Sequence, residues 1–131
     1  MIGFDTKVLV RHIMQDQPKQ AAEATKLVEG LSAKNPGFIA IVSIVEGVWV
    51  LSSSYDLGRE QVMQTLDMIF RAKQLVVDQA EHVASALRAF GSGIADFADC
   101  LIERSAVAAG CTQTMAFDIA AAKTAGMTVN Q

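Results

Sequence analysis

Apolar residues in this chain form short continuous runs and, between them, longer segments in which they recur every three or four positions. The continuous runs predict buried strands at residues 2–5, 38–42, 75–77 and 112–117, with an edge strand at 127–129. The periodic segments predict a first helix that ends before Pro18 and further helices at 19–33, 43–55, 59–72, 78–90, 96–109 and directly after Asp118. Strands alternating with helices are typical of a parallel sheet with helices on both faces. We therefore predict an α/β fold: one three-layer α/β/α domain over residues 1–131, with a mostly parallel sheet of four to five short strands.

The composition fits a globular protein that does not enter a membrane. Apolar residues make up 51% of the 131 residues, and 19% are charged. No uninterrupted apolar run reaches the roughly 18 residues that a membrane-spanning helix needs. The first residues include Asp5 and no basic segment, so no signal peptide is expected. Cys100 and Cys111 have neither metal-ligand spacing nor the pattern of a disulfide framework. We expect a reducing, cytoplasmic location.

The net charge of −3 argues against binding nucleic acid through bulk charge alone. Four of the 14 acidic residues gathered in one metal site would leave 10 acids against 11 Lys and Arg elsewhere. A metal-loaded protein could then present a nearly neutral or mildly basic surface to a phosphate backbone.

Acidic residues fall where predicted strands end and helices begin. Asp5 closes the first strand, and Glu46 lies one helical turn beyond the second. Asp118 directly follows the fourth strand, and Asp96 and Asp99 open the helix before it. Right-handed crossovers place the carboxyl ends of parallel strands along one edge of the sheet, where open α/β sheets bind ligands. Carboxylates gathered there would repel one another unless a cation lay among them, and Mg²⁺ or Mn²⁺ suits oxygen ligands.

The same acids also suit the starts of helices, which is the simpler explanation for each one alone. Ser43-Ile-Val-Glu46 matches a capping box, in which Glu46 bonds back to the helix start. Asp96 and Asp118 could be N-caps, with Asp99 favoured in the first turn by the helix dipole. Only the joint placement favours a metal site over helix capping.

Four segments of the chain resemble, in order and at similar spacing, the acidic motifs of PIN domains, specifically the VapC-type toxin ribonucleases of type II toxin–antitoxin systems. The segments are Phe4-Asp5-Thr6-Lys7-Val8, Val42-Ser43-Ile44-Val45-Glu46, Ala95-Asp96-Phe97-Ala98-Asp99-Cys100-Leu101-Ile102 and Ala116-Phe117-Asp118. Together they extend over essentially the whole chain.

The resemblance implies a metal-dependent endoribonuclease that hydrolyses RNA phosphodiester bonds with Mg²⁺ or Mn²⁺. It assigns Asp5, Glu46, Asp99 and Asp118 as the catalytic and metal-binding acids, with Asp96, Thr6 and Lys7 as accessory residues. It also implies a small cognate antitoxin lying across helices near residues 8–33 and 59–72, and a homodimer. Apolar side chains that could serve either contact are Met63, Leu66 and Phe70.

Two positions depart from the family pattern. Lys7 stands where the family usually has Asn, and Ala116 where it often has Ser or Thr. The Lys7 ammonium could compete with metal for the carboxylates, or it could face solvent and bind RNA phosphate. The alternative hypothesis is a catalytically impaired PIN-fold module that retains antitoxin binding.

Two other protein classes also place an acid at a strand end. Haloacid dehalogenase-like phosphatases need a second Asp two positions after the first, where this chain has Lys7. A phosphoacceptor receiver domain could use Asp78, but it needs paired acids after the first strand and a Lys after the last. Neither class fits the sequence well.

Overall fold

The computed structural model describes residues 1–130, apart from the side chains of Lys123 and Thr124. The chain divides into a first compact unit, Met1–Asp78, and a second that begins at Gln79. The domain predicted over residues 1–131 includes Gln131, which lies outside the described residues, and the prediction of one domain stays a prediction.

The first unit is built on a three-stranded parallel sheet in the order β1-β2-β3. The strands are β1 (Ile2–Gly3), β2 (Gly37–Ile39) and β3 (Leu75–Val77). Helices α1 (Thr6–Met14) and α2 (Pro18–Glu29) connect β1 to β2, and α3 (Ile41–Ser53) and α4 (Arg59–Arg71) connect β2 to β3. Pro18 occupies the first turn of α2, where its missing N–H has no helical partner to lose.

The core of the first unit contains apolar side chains from β2 and from the helices that follow it. Ile39, Ile44, Leu51 and Val62 are almost completely buried. Gly37 suits the start of β2 because a Cβ there would lie 3.0 Å from Leu31 Cδ1, 3.1 Å from Phe4 Cε1 and 3.2 Å from Leu75 Cδ2. A side chain at this position would therefore require its neighbours to shift by a few tenths of an ångström.

The second unit packs helix α5 (Ala80–Ser92) against helix α6 (Phe97–Ala108). The Phe90 and Phe97 rings meet edge to face, with their centroids 6.0 Å apart. The short strands β4 (Met115–Ala116) and β5 (Thr128–Val129) form a separate parallel pair, and helix α7 (Ile119–Thr124) lies between them in sequence.

The mixed α/β class with parallel strands is confirmed, whereas a single sheet of four to five strands is wrong. Only three strands share the first sheet, and β4 pairs with β5 alone. The predicted strand at 112–117 shortens to two residues because most of that segment is polar or exposed. Its backbone bonds to the last strand, with the Thr128 N–H donating to the Thr114 carbonyl at 2.8 Å.

The predicted strand at 38–42 ends early, because α3 begins at Ile41. The carbonyl of Ala40 accepts the N–H groups of Ser43 and Ile44, which closes the first helical turn. The Ile41 N–H donates to the carboxylate of Asp78, 37 residues away, at 3.4 Å. Ile41 and Val42 are β-branched and on their own favour a strand. The hydrogen bond to Asp78 favours the start of a helix at this position instead.

The prediction of an exposed apolar surface for partner contacts on α4 is wrong for one residue, Leu66. Leu66 is only 3% exposed and belongs to the core, while Met63 and Phe70 are half-buried. The helix places Val62, Leu66 and Ile69 on its inner face, and its exposed apolar side chain is Met68. Over the described chain, residues 1–130, no helix has the length and apolar character needed to cross a membrane.

Candidate active site

In the first unit, Asp5 lies between β1 and α1 with its carboxylate free of a capping role. It is the N-cap of α1, with extended backbone angles, yet its side chain caps no backbone N–H. The residue is exposed, and its carbonyl accepts the N–H of Leu9 at 3.3 Å. Neither carboxylate oxygen of Asp5 is therefore used in capping α1.

Glu46 is held by a hydrogen bond from a buried threonine. The Thr6 hydroxyl donates to Glu46 Oε1 at 2.9 Å, across 40 residues of sequence. Thr6 is buried whereas Glu46 is exposed, so one carboxylate oxygen is fixed by the protein and the other faces solvent. The bond ties the first turn of α1, beside Asp5, to the middle of α3.

The capping-box interpretation of Ser43 and Glu46 is wrong. The N-cap of α3 is Ala40, which makes no side-chain cap, and Ser43 is already inside the helix. Glu46 lies beyond the first turn, where no free backbone N–H remains for it to accept. Its hydrogen bond to Thr6 replaces the predicted bond to the helix start.

Lys7 is exposed and lies in a groove between α1 and α2, in the first unit, which the structure describes throughout. No ion pair within 4.0 Å joins its ammonium to Asp5 there. The groove has a volume of about 310 Å³. It is lined by Lys7, Val8, Arg11, Gln20, Glu23, Ala24 and Leu27. Of the two alternatives for Lys7, this position favours a solvent-facing cation over one bound to Asp5.

In the second unit, Asp96 and Asp118 are both N-caps, as the helix-start interpretation predicts. Asp96 Oδ1 accepts the N–H of Asp99 at 2.8 Å at the start of α6. Asp118 Oδ1 accepts the N–H of Ala120 at 2.8 Å at the start of α7. Each carboxylate uses one oxygen in these bonds, so capping does not exclude a second role for the other oxygen.

Asp99, in the first turn of α6, has its pKa raised above the usual value of an aspartate. The largest cause is burial, followed by the negative charges of Asp96 and Asp118 and by a hydrogen bond with Asp96. A helix N-terminus ordinarily favours a carboxylate, so burial and the neighbouring acids outweigh the dipole here. A cation among these three acids would remove the repulsion.

The structure brings these acids together in two groups. Thr6 and Glu46 meet in the first unit, near the start of α1 that Asp5 precedes. Asp96, Asp99 and Asp118 interact electrostatically in the second unit. Over residues 1–130, neither unit alone places three or more His, Cys, Asp or Glu side chains where they could jointly hold a metal ion. The carboxylates of these acids offer only oxygen ligands, which suit Mg²⁺ or Mn²⁺. That Asp5, Glu46, Asp99 and Asp118 converge on one metal ion stays a prediction.

Sequence reasoning missed a polar network in the first unit. Arg11 Nη1 donates to the Tyr55 hydroxyl at 3.0 Å, and that hydroxyl donates to Asp16 Oδ2 at 2.8 Å. The bond to Asp16 is the main cause of a raised Tyr55 pKa. The three residues come from α1, the α1–α2 connection and the α3–α4 connection, so no local pattern could have joined them.

The model of the PIN domain family matches residues 2–127. The chain belongs to the PIN domain family. PIN domains have a nuclease fold, act on nucleic acid and are generally ribonucleases that use divalent metals such as Mg²⁺ or Mn²⁺. Asp5, Glu46, Asp96, Asp99 and Asp118 all lie within the matched segment. No curated protein matches the chain.

Proposed function

We propose that this PIN domain is a metal-dependent endoribonuclease that acts as the toxin of a toxin–antitoxin pair and hydrolyses phosphodiester bonds of RNA. The observation that carries the proposal is the Asp96, Asp99 and Asp118 group in a chain of this family: partial burial of Asp99, and then the charges of Asp96 and Asp118, raise the pKa of Asp99. Carboxyl groups whose pKa is shifted by burial and by neighbouring charges cluster at functional sites. Cytoplasmic location and a homodimer belong to the same proposal.

Asp5, Glu46, Asp99 and Asp118 would hold Mg²⁺ or Mn²⁺. When bound, the metal supplies positive charge that polarises the scissile phosphate. Thr6 orients Glu46 through its hydroxyl, and Asp96 fixes the first turn of α6 by accepting the Asp99 N–H. Thr6 and Asp96 therefore act by positioning an acid.

The test is cleavage of total tRNA and ribosomal RNA by the purified chain, free of any partner, in Mn²⁺, in Mg²⁺ and in EDTA. We expect discrete products in metal and none in EDTA. A Lys7→Asn variant in the same assay should cleave within about threefold of the native chain, because Lys7 makes no ion pair with Asp5. Equal cleavage in EDTA, or none under any condition by either protein, would refute the proposal.

Removing the hydroxyl of Thr6 should lower the rate of cleavage without unfolding the protein. Thr6→Val keeps the shape of the buried side chain but leaves Glu46 Oε1 without its donor. Loss of such an orienting bond typically costs about 10- to 100-fold in activity or metal affinity. The measurement is the metal concentration for half-maximal cleavage together with the maximal rate. Thr65→Val is the matched control, since its hydroxyl bonds only the Gln61 carbonyl within α4.

The second candidate is a catalytically impaired module that retains antitoxin binding. The groove between α1 and α2 favours it, because it overlaps the segment 8–33 predicted for that contact and carries both apolar walls and the cations of Lys7 and Arg11. An extended acidic and apolar peptide would suit such a groove. This candidate would be supported if the native chain failed to cleave RNA and the Lys7→Asn variant cleaved it. That result would mean that the acidic site is intact and that Lys7 prevents its activity.

A further inference from the structure

Trp49 is a large apolar side chain left in solvent on α3. Its residue is 69% exposed, although the same helix buries Ile44, Val48 and Leu51 in the core. On the exposed face of α3, Val42, Glu46 and Trp49 are spaced four and three residues apart, and the exposed Ser52 and Ser53 follow at the end of the helix. Trp49 therefore belongs to the surface that carries Glu46 and not to the core.

Trp49 and Glu46 are neighbours on that face. Residues three apart on a helix have Cβ atoms about 5–6 Å from each other. Glu46 is in turn held by the Thr6 hydroxyl, and the carboxylate and the indole are presented by the same helix. Any ligand whose charged part lies at Glu46 also has an aromatic plane within reach.

We propose that Trp49 stacks on a base of single-stranded RNA beside the phosphate that is cleaved. This inference rests on the proposed function, because it takes Glu46 to lie at the reacting phosphate. The flat faces of an indole and a nucleobase are complementary whatever the base, and each such stack contributes about 1–3 kcal/mol to binding. Helix α3 contains no Lys or Arg, so its contribution comes from stacking and not from charge.

The position of Glu46 favours RNA over a second copy of the chain as the occupant of this face. A protein partner that covered Val42 and Trp49 would also cover the exposed carboxylate between them. Burying an unpaired carboxylate is costly, and this face has no cation of its own to offset that cost. The chain belongs to a family that acts on nucleic acid, and a single strand of RNA can stack a base on the indole without enclosing the carboxylate beside it.

The chain offers an unusually direct test, because Trp49 is its only tryptophan and its fluorescence reports this one position. Single-stranded RNA oligonucleotides, in EDTA so that nothing is cleaved, should quench the emission of the full chain. A duplex RNA of the same length should not, since its bases are already stacked on one another. Labelled RNA, followed by anisotropy in parallel, reports binding independently of the indole.

A Trp49→Leu variant should raise the KM for single-stranded RNA about 5- to 100-fold. Its kcat should stay within about twofold, and the salt dependence of its KM should be unchanged because no phosphate contact is lost. Trp49→Phe should recover part of the loss, since it restores an aromatic face. Met68→Ala is the control, because Met68 is a comparably exposed apolar residue at 71%, on α4 of the same unit.

Several results would overturn the stacking role. One is RNA binding with unchanged emission, and another is an unchanged KM in Trp49→Leu. A third is an emission shift that depends on protein concentration alone and tracks a dimer mass, which would assign the face to a second copy. Quenching by single strands with no metal-dependent cleavage would support Trp49 as an RNA contact while refuting the nuclease, so the two failures can be told apart.

Discussion

Asp99→Asn should abolish metal-dependent cleavage, lowering the rate on the order of 100-fold or more, and should at the same time stabilise the metal-free protein. Asn keeps the shape of the side chain and removes its charge. In the native chain, burial and the charges of Asp96 and Asp118 disfavour the Asp99 carboxylate and raise its pKa. Asn at position 99 has no charge to be disfavoured in the folded state, so the metal-free variant is more stable. It also lacks a carboxylate ligand for the metal, so its activity falls.

The sign of the pH dependence follows from the raised pKa. Above the folded-state pKa, Asp99 is charged in both states, and the folded state bears the cost of that charge. As the pH falls through the folded-state pKa, the folded protein takes up a proton before the unfolded chain does, so the free energy of unfolding contributed by this group rises. The advantage of Asp99→Asn should therefore be largest at neutral pH and should vanish on acidification towards the unfolded-state pKa.

Thermal unfolding in EDTA at neutral and mildly acidic pH measures this difference, and RNA cleavage in Mn²⁺ measures the activity. Glu81→Gln is the matched control, because Glu81 is an exposed acid in the first turn of α5. It should alter neither quantity appreciably. An Asp99→Asn protein that is less stable than the native chain at neutral pH, or that still cleaves RNA at the native rate, would contradict this assignment.

Local sequence patterns located the elements well where local preferences and tertiary contacts agree. The predicted helix at 59–72 is α4 (Arg59–Arg71), and the strand at 75–77 is β3. They failed at Ile41, where β-branched residues favour a strand but the Asp78 carboxylate and the Ala40 carbonyl favour a helix. That choice depends on a residue 37 positions away, which no local window contains.

In the candidate site, too, local interactions could be predicted from the sequence and contacts distant in sequence could not. Helix-start chemistry correctly placed Asp96 and Asp118 as N-caps, because capping is a local interaction. The bond between Thr6 and Glu46 joins α1 to α3 across 40 residues, and a local capping motif pointed to the wrong partner. Hence the two N-caps could be predicted from the sequence, whereas the hydrogen-bond partner of Glu46 required the structure.

Gly37→Ala should destabilise the protein by about 1–3 kcal/mol, although it adds one methyl group. That methyl carbon would lie 3.0–3.2 Å from side-chain atoms of Leu31, Phe4 and Leu75, all closer than an ordinary contact. Each of these three neighbours would have to shift by a few tenths of an ångström to make room for the methyl group. Gly37→Val should cost more, because it adds branches at the same crowded point.

Gly37→Ala should also alter the candidate active site, because Phe4 directly precedes Asp5 in the chain. A displaced Phe4 ring moves the backbone that positions the Asp5 carboxylate, so Gly37→Ala should also weaken metal-dependent cleavage. Urea unfolding measures the stability, and a Gly37→Ala, Leu31→Ala double variant should recover part of the loss by making room for the new methyl group.

Gly47→Ala is the matched control, because a Cβ at Gly47, within α3, would meet no atom outside its own helix within 4 Å. Alanine is favoured over glycine inside a helix by about 0.5–1 kcal/mol, so this variant should be as stable as the native chain or more so. If both glycine variants shifted the unfolding midpoint equally, crowding at β2 could not be the cause. If only Gly37→Ala were destabilised, with a parallel loss of cleavage, close packing around β2 would be what holds Asp5 in place.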